Sequence, residues 1–177
     1  EEGYPVGQFF MLKCNGIDEN GKFIMEDVNK DGQISDDDRT YVGDSQPDLT
    51  FGWNNTFTWK NWDASFFLRG QIGGKLLNNP RAAYGNNTYV AGANAMKGDD
   101  LMLLRENSRV SSYYLENASF ARLDNMSIGY TFNTKKIDWL DKARIYVAAQ
   151  NLFVITSYSG LDPEVELFRG EASDTDA

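Results

Sequence analysis

Between residues 50 and 155 hydrophobicity alternates with a period of two, which sends successive side chains to opposite faces of an extended strand. Residues 49–60 alternate, residues 62–72 alternate again, and Lys60-Asn61 between them fits a two-residue hairpin loop with Trp59 opposite Trp62. One face then carries Phe51, Trp53, Asn55, Phe57 and Trp59, with Trp62, Ala64, Phe66 and Leu68 across the pair. A second pair, residues 125–132 and 143–155, adds Met126, Ile128, Tyr130 and Phe132, then Ala143, Ile145, Val147 and Ala149. Of these 17 positions 16 are apolar, against 3 of the 17 on the opposite faces, where Thr50, Asn54, Thr56, Thr58, Asp63 and Arg69 stand. Each strand therefore has one face made for an apolar medium. Upstream, Phe120, Arg122 and Asp124 share parity with Met126 and would point charge into that medium. A bulge near Asp124-Asn125, or emergence into water there, would resolve the conflict.

The apolar medium is either a second sheet, as in a soluble β-sandwich, or lipid, as in an outer-membrane barrel. Two features favour lipid. Aromatic rings gather where strands meet short turns, Trp59 and Trp62 at one and Tyr130 and Phe132 at the next, as in an interfacial girdle. The connections also alternate in length: Lys60-Asn61 is minimal, residues 73–117 are long and rich in Gly, Asn and Ala, and residues 133–142 are short, with a helical turn expected at Ile137 to Leu140. Short turns at one rim and long loops at the other are a barrel pattern. Four or five strands cannot close a cylinder, since single-chain barrels need about eight, so the chain is expected to be part of something larger.

Composition narrows the chemistry. Seventeen basic side chains stand against 26 acidic ones, a net charge of −9 with no basic cluster, which argues against a phosphate-tracking nucleic-acid surface. The chain has no histidine and one cysteine, Cys14, so His-dependent triads and multi-cysteine zinc sites lose their residues. No run approaches the roughly 20 apolar residues of a membrane helix. The N-terminal residues lack the basic start and apolar core of a secretion signal, and residues 170–177 suit a frayed tail.

The most specific local motif lies at residues 27–38. Asp27, Asn29, Asp31, Ser35 and Asp38 occupy loop positions 1, 3, 5, 9 and 12, with Gly32 at 6 and Ile34 at 8. A hard cation wants oxygens converging from alternate residues, and glycine permits the sharp turn at 6. The spacing assigns calcium to Asp27, Asn29 and Asp31 as side-chain ligands, Gln33 through its carbonyl, Ser35 through water and Asp38 as the closing carboxylate. Aspartate stands where the twelve-residue loop prefers glutamate. The competing reading is a solvated, metal-free acidic turn.

Several motifs in order carry a family resemblance: Glu2-Gly3-Tyr4-Pro5-Val6-Gly7-Gln8-Phe9, Asp27-Val28-Asn29-Lys30-Asp31-Gly32, Asp38-Arg39-Thr40-Tyr41-Val42-Gly43, Pro47-Asp48-Leu49-Thr50-Phe51-Gly52, Tyr114-Leu115-Glu116-Asn117-Ala118-Ser119-Phe120-Ala121-Arg122-Leu123, Ile128-Gly129-Tyr130-Thr131-Phe132 and Ala149-Gln150-Asn151-Leu152-Phe153. Together they resemble the C-terminal barrel region of SusC/RagA-type TonB-linked outer-membrane transporters of Bacteroidetes. The resemblance implies a barrel of about 22 strands with a plugged lumen, a SusD-like lid lipoprotein, coupling to TonB, and import of oligosaccharides or peptides. Plug, TonB-contacting segment, signal and terminal strand are not among these residues, so the chain is expected to be a piece of such a transporter.

The whole chain, 1–177, is then one partial barrel region. Residues 13–48 form an extracellular loop with the calcium-type motif, 49–72 a hairpin, 73–117 a long extracellular loop, 118–155 a second hairpin and 156–177 a loop and tail. Tyr84, Asn86, Asn87 and Tyr89 offer rings and amides suited to sugar or peptide cargo. The alternative is a soluble extracellular calcium-stabilised β-module that binds glycans or a protein partner and buries its apolar faces against a second sheet. Carboxylate pairs such as Asp36/Asp38 and Glu164/Glu166 are better explained as cation ligands and solvated charges than as glycosidase pairs, so no enzyme is expected.

Overall fold

The computed structural model describes residues 3, 6–85, 104–105, 109–134 and 139–164. Its main feature is a four-stranded antiparallel sheet of β5 (Leu49–Trp59), β6 (Trp62–Ile72), β9 (Phe120–Phe132) and β10 (Ala143–Thr156), in the order β10-β9-β6-β5. β5 and β6 pair without interruption from Leu49 opposite Ile72 to Trp59 opposite Trp62, the register that the alternation requires. Lys60 takes the positive φ of 55° that so tight a turn demands.

The parity conflict on β9 is settled by a bulge. Phe67 of β6 faces Asn125 but the next residue, Leu68, faces Leu123, so Asp124 is the extra residue. On the other side Gln150 faces Asn125 and Phe153 faces Leu123, leaving Asn151, at φ 50°, and Leu152 as the irregularity in β10. Beyond the bulge Leu123 and Ala121 join the apolar face, whereas Arg122 and Phe120 turn to the polar face beside Arg69 and Gln71.

The stretches before and between the hairpins, where the sequence predicts long loops at residues 13–48 and 73–117, carry structure of their own. β1 (Gln8–Leu12) pairs with β4 (Arg39–Asp44), and β2 (Cys14–Ile17) pairs with β3 (Phe23–Met25). β7 (Lys75–Leu77) pairs with β8 (Leu115–Asn117), prolonging the β6/β9 ladder past Gly73 and Gly74. Helix α1 (Asn79–Tyr84) is capped by Asn78, whose side-chain oxygen accepts from the Arg81 N–H at 3.0 Å. The two stretches also pack on each other: the Cys14 N–H donates to Ser112 Oγ at 2.8 Å and the Arg105 N–H to the Gly21 carbonyl at 2.9 Å. Tyr114 and Leu104 are wholly buried there, and Tyr114 packs edge-on against Phe23 and Tyr113. Residues 135–138 lie outside the described residues, and with them the first half of the turn expected at Ile137 to Leu140.

Candidate functional site

The two faces of the sheet meet different surroundings. On the apolar face Phe57 is 57% exposed, Trp59 66%, Trp62 47%, Ile128 45% and Val147 69%. Among the described residues no second sheet covers it, and no helix is long and apolar enough to cross a membrane. Its rings collect at the short-turn end: Trp62 and Tyr130 stand opposite each other with ring centroids 4.9 Å apart, Tyr130 and Phe132 lie 5.0 Å apart, and Lys60 Nζ sits 4.9 Å over the Trp59 ring. An amphipathic ring and a lysine stem at one height are what a boundary between hydrocarbon and water selects.

The polar face is laced by hydrogen bonds and ion pairs instead. Ser65 and Ser127 share a hydroxyl contact of 2.8 Å between neighbouring strands. Arg144 on β10 reaches over β9 to Asp63 on β6, Nε to Oδ1 at 3.0 Å and an Nη to Oδ2 at 2.5 Å. The bridge crosses Gly129, where an added Cβ would stand 2.6 Å from the guanidinium and 2.8 Å from the carboxylate. A side chain at this position would displace the pair.

At the long-loop end of the same face the chain returns. After β10, residues 157–164 fold back onto Arg69 and Arg122, beside Phe120, which is buried although it lies on the polar side. Arg122 donates to both oxygens of Asp162, at 2.6 and 2.8 Å. Arg69 makes a two-pronged contact with Glu164, at 2.5 and 3.1 Å, and donates through Nε to Asp124 at 3.1 Å. Both guanidinium groups also stand over the Phe120 ring, 6.0 and 5.7 Å from its centre. The Arg122 side chain holds Asp162 below the usual carboxylate range, outweighing the upward push of its partial burial.

In the loop of residues 27–38 the side chains of Asp27, Asn29, Asp31, Ser35 and Asp38 each accept from backbone N–H groups. Asp27 accepts from the Lys30 and Gly32 N–H groups at 2.7 and 2.9 Å, Asn29 from Asp31 at 3.0 Å, and Asp31 from Gln33 at 2.8 Å. Lys30 and Gly32 adopt positive φ, 62° and 83°, which winds the loop tightly. Ser35 caps the 3₁₀ turn Asp36–Asp38 by accepting from the Asp37 N–H. Asp38 is fully buried and accepts from Val28 at 2.9 Å, Asn29 at 3.3 Å and Ser35 at 2.8 Å. The Ser35 N–H above all holds the Asp38 carboxyl below its ordinary range. Oxygen donors at alternate residues suit a hard cation, yet among the described residues no three His, Cys, Asp or Glu side chains converge as a ligand group.

Of the residues chosen for cargo contact, Tyr84 ends α1 with an exposed side chain, and Asn86, Asn87 and Tyr89 lie outside the described residues. Of the carboxylate pairs set aside above, Glu164 is ion-paired and Asp38 is hydrogen-bonded to backbone. The cluster around Arg69 and Arg122 was missed from sequence. Its one signal was the parity conflict that put Arg122 on the wrong face of an unbulged strand.

No family model matches the chain. Curated relatives do: it is 30% identical to the TonB-dependent receptor P3 of Formosa agariphila over 92% of its own length, and 32% identical to the TonB-dependent receptor SusC of Bacteroides thetaiotaomicron over 93%. It spans 19% and 18% of those two proteins, about a fifth of their length. Among solved structures, the RagAB peptide transporter matches 88% of the chain at a TM-score of 0.71 and 25% identity, with 20% of the neighbour's own chain covered. The RagAB peptide importer in its 'closed-closed' state matches 90% at 0.73, again at 25% identity and with 22% of the neighbour covered. In sequence and in its antiparallel fold, the chain is thus related to the TonB-dependent receptors of the SusC/RagA type.

Proposed function

We propose that the chain supplies wall strands and outer loops to an outer-membrane importer of the TonB-dependent class, with its apolar face against lipid and its polar face toward a wet lumen. The uncovered apolar face with its ring cluster at the short-turn rim carries this reading. Strand length supports it: β5 and β6 have 11 residues each, and a tilted strand needs about 9–11 to span the hydrocarbon. The cargo is an oligosaccharide or a peptide, the latter favoured by the likeness to the RagAB peptide transporter. A SusD-like lipoprotein covers the long-loop end, TonB supplies the energy, and the location is the outer membrane of a Bacteroidetes-like cell. The lid and the cargo meet the assembly formed by residues 8–48, 75–85, 104–105 and 109–118, with Tyr84 exposed on it. The same reading gives calcium to the loop at residues 27–38, as a structural pin for that assembly.

The test is sided labelling in the full-length protein, in membranes and with Cys14→Ser as background. A thiol at Phe57→Cys should react with lipid-soluble reagents and resist water-soluble ones, and a thiol at Thr56→Cys should do the reverse. Equal reactivity with the water-soluble reagent at both positions would refute the wall. For the metal, Asp27→Ala with Asp31→Ala should abolish the calcium heat in titration calorimetry, and an unchanged titration would refute the assignment.

A further inference from the structure

Arg69 on β6 and Arg122 on β9 stand directly opposite each other. Side chains so placed have Cβ atoms about 5 Å apart, and two like charges there repel. The wall supplies one counter-charge, Asp124 at the bulge, 3.1 Å from Arg69. The other two, Asp162 and Glu164, come from downstream of β10, separated from their partners by 40 and 95 residues of chain. Their short segment is fastened at its start as well: Thr156 Oγ1 donates to the Ser119 carbonyl at 2.8 Å, and Ser159 donates through N–H and hydroxyl to Glu116 at 2.6 and 2.7 Å. Between these fastenings Tyr158 is buried, and an added Cβ at Gly160 would meet its ring at 2.4 Å.

We propose that residues 157–164 form an inward-folded strap over the polar face of the wall, positioned by Arg69 and Arg122 and narrowing the passage along that face. The two arginines are positioning residues. The bulge at Asp124 is what turns Arg122 inward, and with it the point where the strap lands. Phe120 is buried beneath the two guanidinium groups that the strap pairs with. Release of the two carboxylates leaves two guanidinium groups facing each other with Asp124 alone between them. Charge pairing therefore decides where the strap lies, and Tyr158 decides how it turns.

That the strap borders a passage rests on the wall reading; that the arginines place it does not. The experiment uses the full-length protein in membranes, with spin labels at Leu161→Cys on the strap and Thr56→Cys on the polar face, in the Cys14→Ser background. One narrow distance distribution is expected. Asp162→Asn with Glu164→Gln leaves every wall residue in place and should abolish the narrow peak, as should Arg69→Gln with Arg122→Gln. Exchanging the charges, Arg122→Asp with Asp162→Arg, should bring the peak back relative to Arg122→Asp alone. A narrow peak that survives Asp162→Asn with Glu164→Gln overturns the proposal. Failure of the wall reading would appear separately, as equal reagent access at positions 56 and 57.

Discussion

The wall and the loop assembly keep order by opposite means. The wall has the long ladders, and no large apolar residue on its outer face is fully buried; Trp53, Phe57, Trp59, Ile128, Ile145 and Val147 stand exposed there. The loop assembly has strands of three to six residues and irregular pairings, yet it holds Leu12, Asp38, Asn78, Ala82, Leu104, Ser111, Tyr114 and Ala118 in its interior. A sheet set between two media needs no core of its own, because hydrocarbon on one side and water on the other do the sorting that a core does elsewhere. A loop region standing in water has water on all sides and must build an interior. Regular secondary structure and buried surface are therefore found in different parts of this chain.

The sharpest way to break that contrast is to hollow the loop core. Tyr114→Ala removes a fully buried ring that packs on Phe23 and Tyr113, and should cost the loop assembly about 3–5 kcal/mol. Limited proteolysis should show rapid cutting within residues 8–48, with the barrel's heat-modifiable electrophoretic mobility unchanged. Coupled loss of both would mean that the two regions share one cooperative unit.

A smaller effect tests the wall from its two sides. Val147→Arg puts a charge on the apolar face in mid-strand and should cost about 2–4 kcal/mol in reversible unfolding from lipid vesicles, while Ala148→Arg, one residue on and facing the lumen, should cost close to nothing. Similar costs at both positions would place both faces in the same medium.

The same contrast explains what the sequence disclosed. Strands β5 and β6 were legible to the residue because one-sided solvation writes itself as a period of two, and the bulge at Asp124 was legible as a break in that period. The loop core was not. Tyr114, Leu104, Asn78 and Phe23 come together from stretches without periodicity, through pairings such as Asn78 Nδ2 to Glu116 at 2.9 Å that no local pattern announces. Glu164 read as a solvated charge, since its partner Arg69 lies on a strand 95 residues earlier. In the loop at residues 27–38 the spacing picked out oxygens for a cation, but not the backbone N–H groups from which they accept.

That last point yields the mildest prediction and separates a pinned loop from a self-sufficient one. Asp38 is held below the ordinary aspartate range chiefly by the Ser35 N–H, against the opposing push of burial, with Asn29 and Val28 adding to the lowering. A carboxyl lowered on folding stabilises the folded loop fully above its unfolded value, near about 4, and that contribution disappears as pH falls through the lower folded value. Amide exchange at Val28, Asn29 and Ser35 should therefore be flat from neutrality down to about pH 4 and lose protection only below it. Asp38→Asn should remove the acid step by leaving nothing to titrate at that position. If calcium is the pin, its addition should move the acid step of the parent loop to lower pH, because the cation competes with protons for the same oxygens. A step that ignores calcium would leave the backbone N–H groups as the loop's sole organisers.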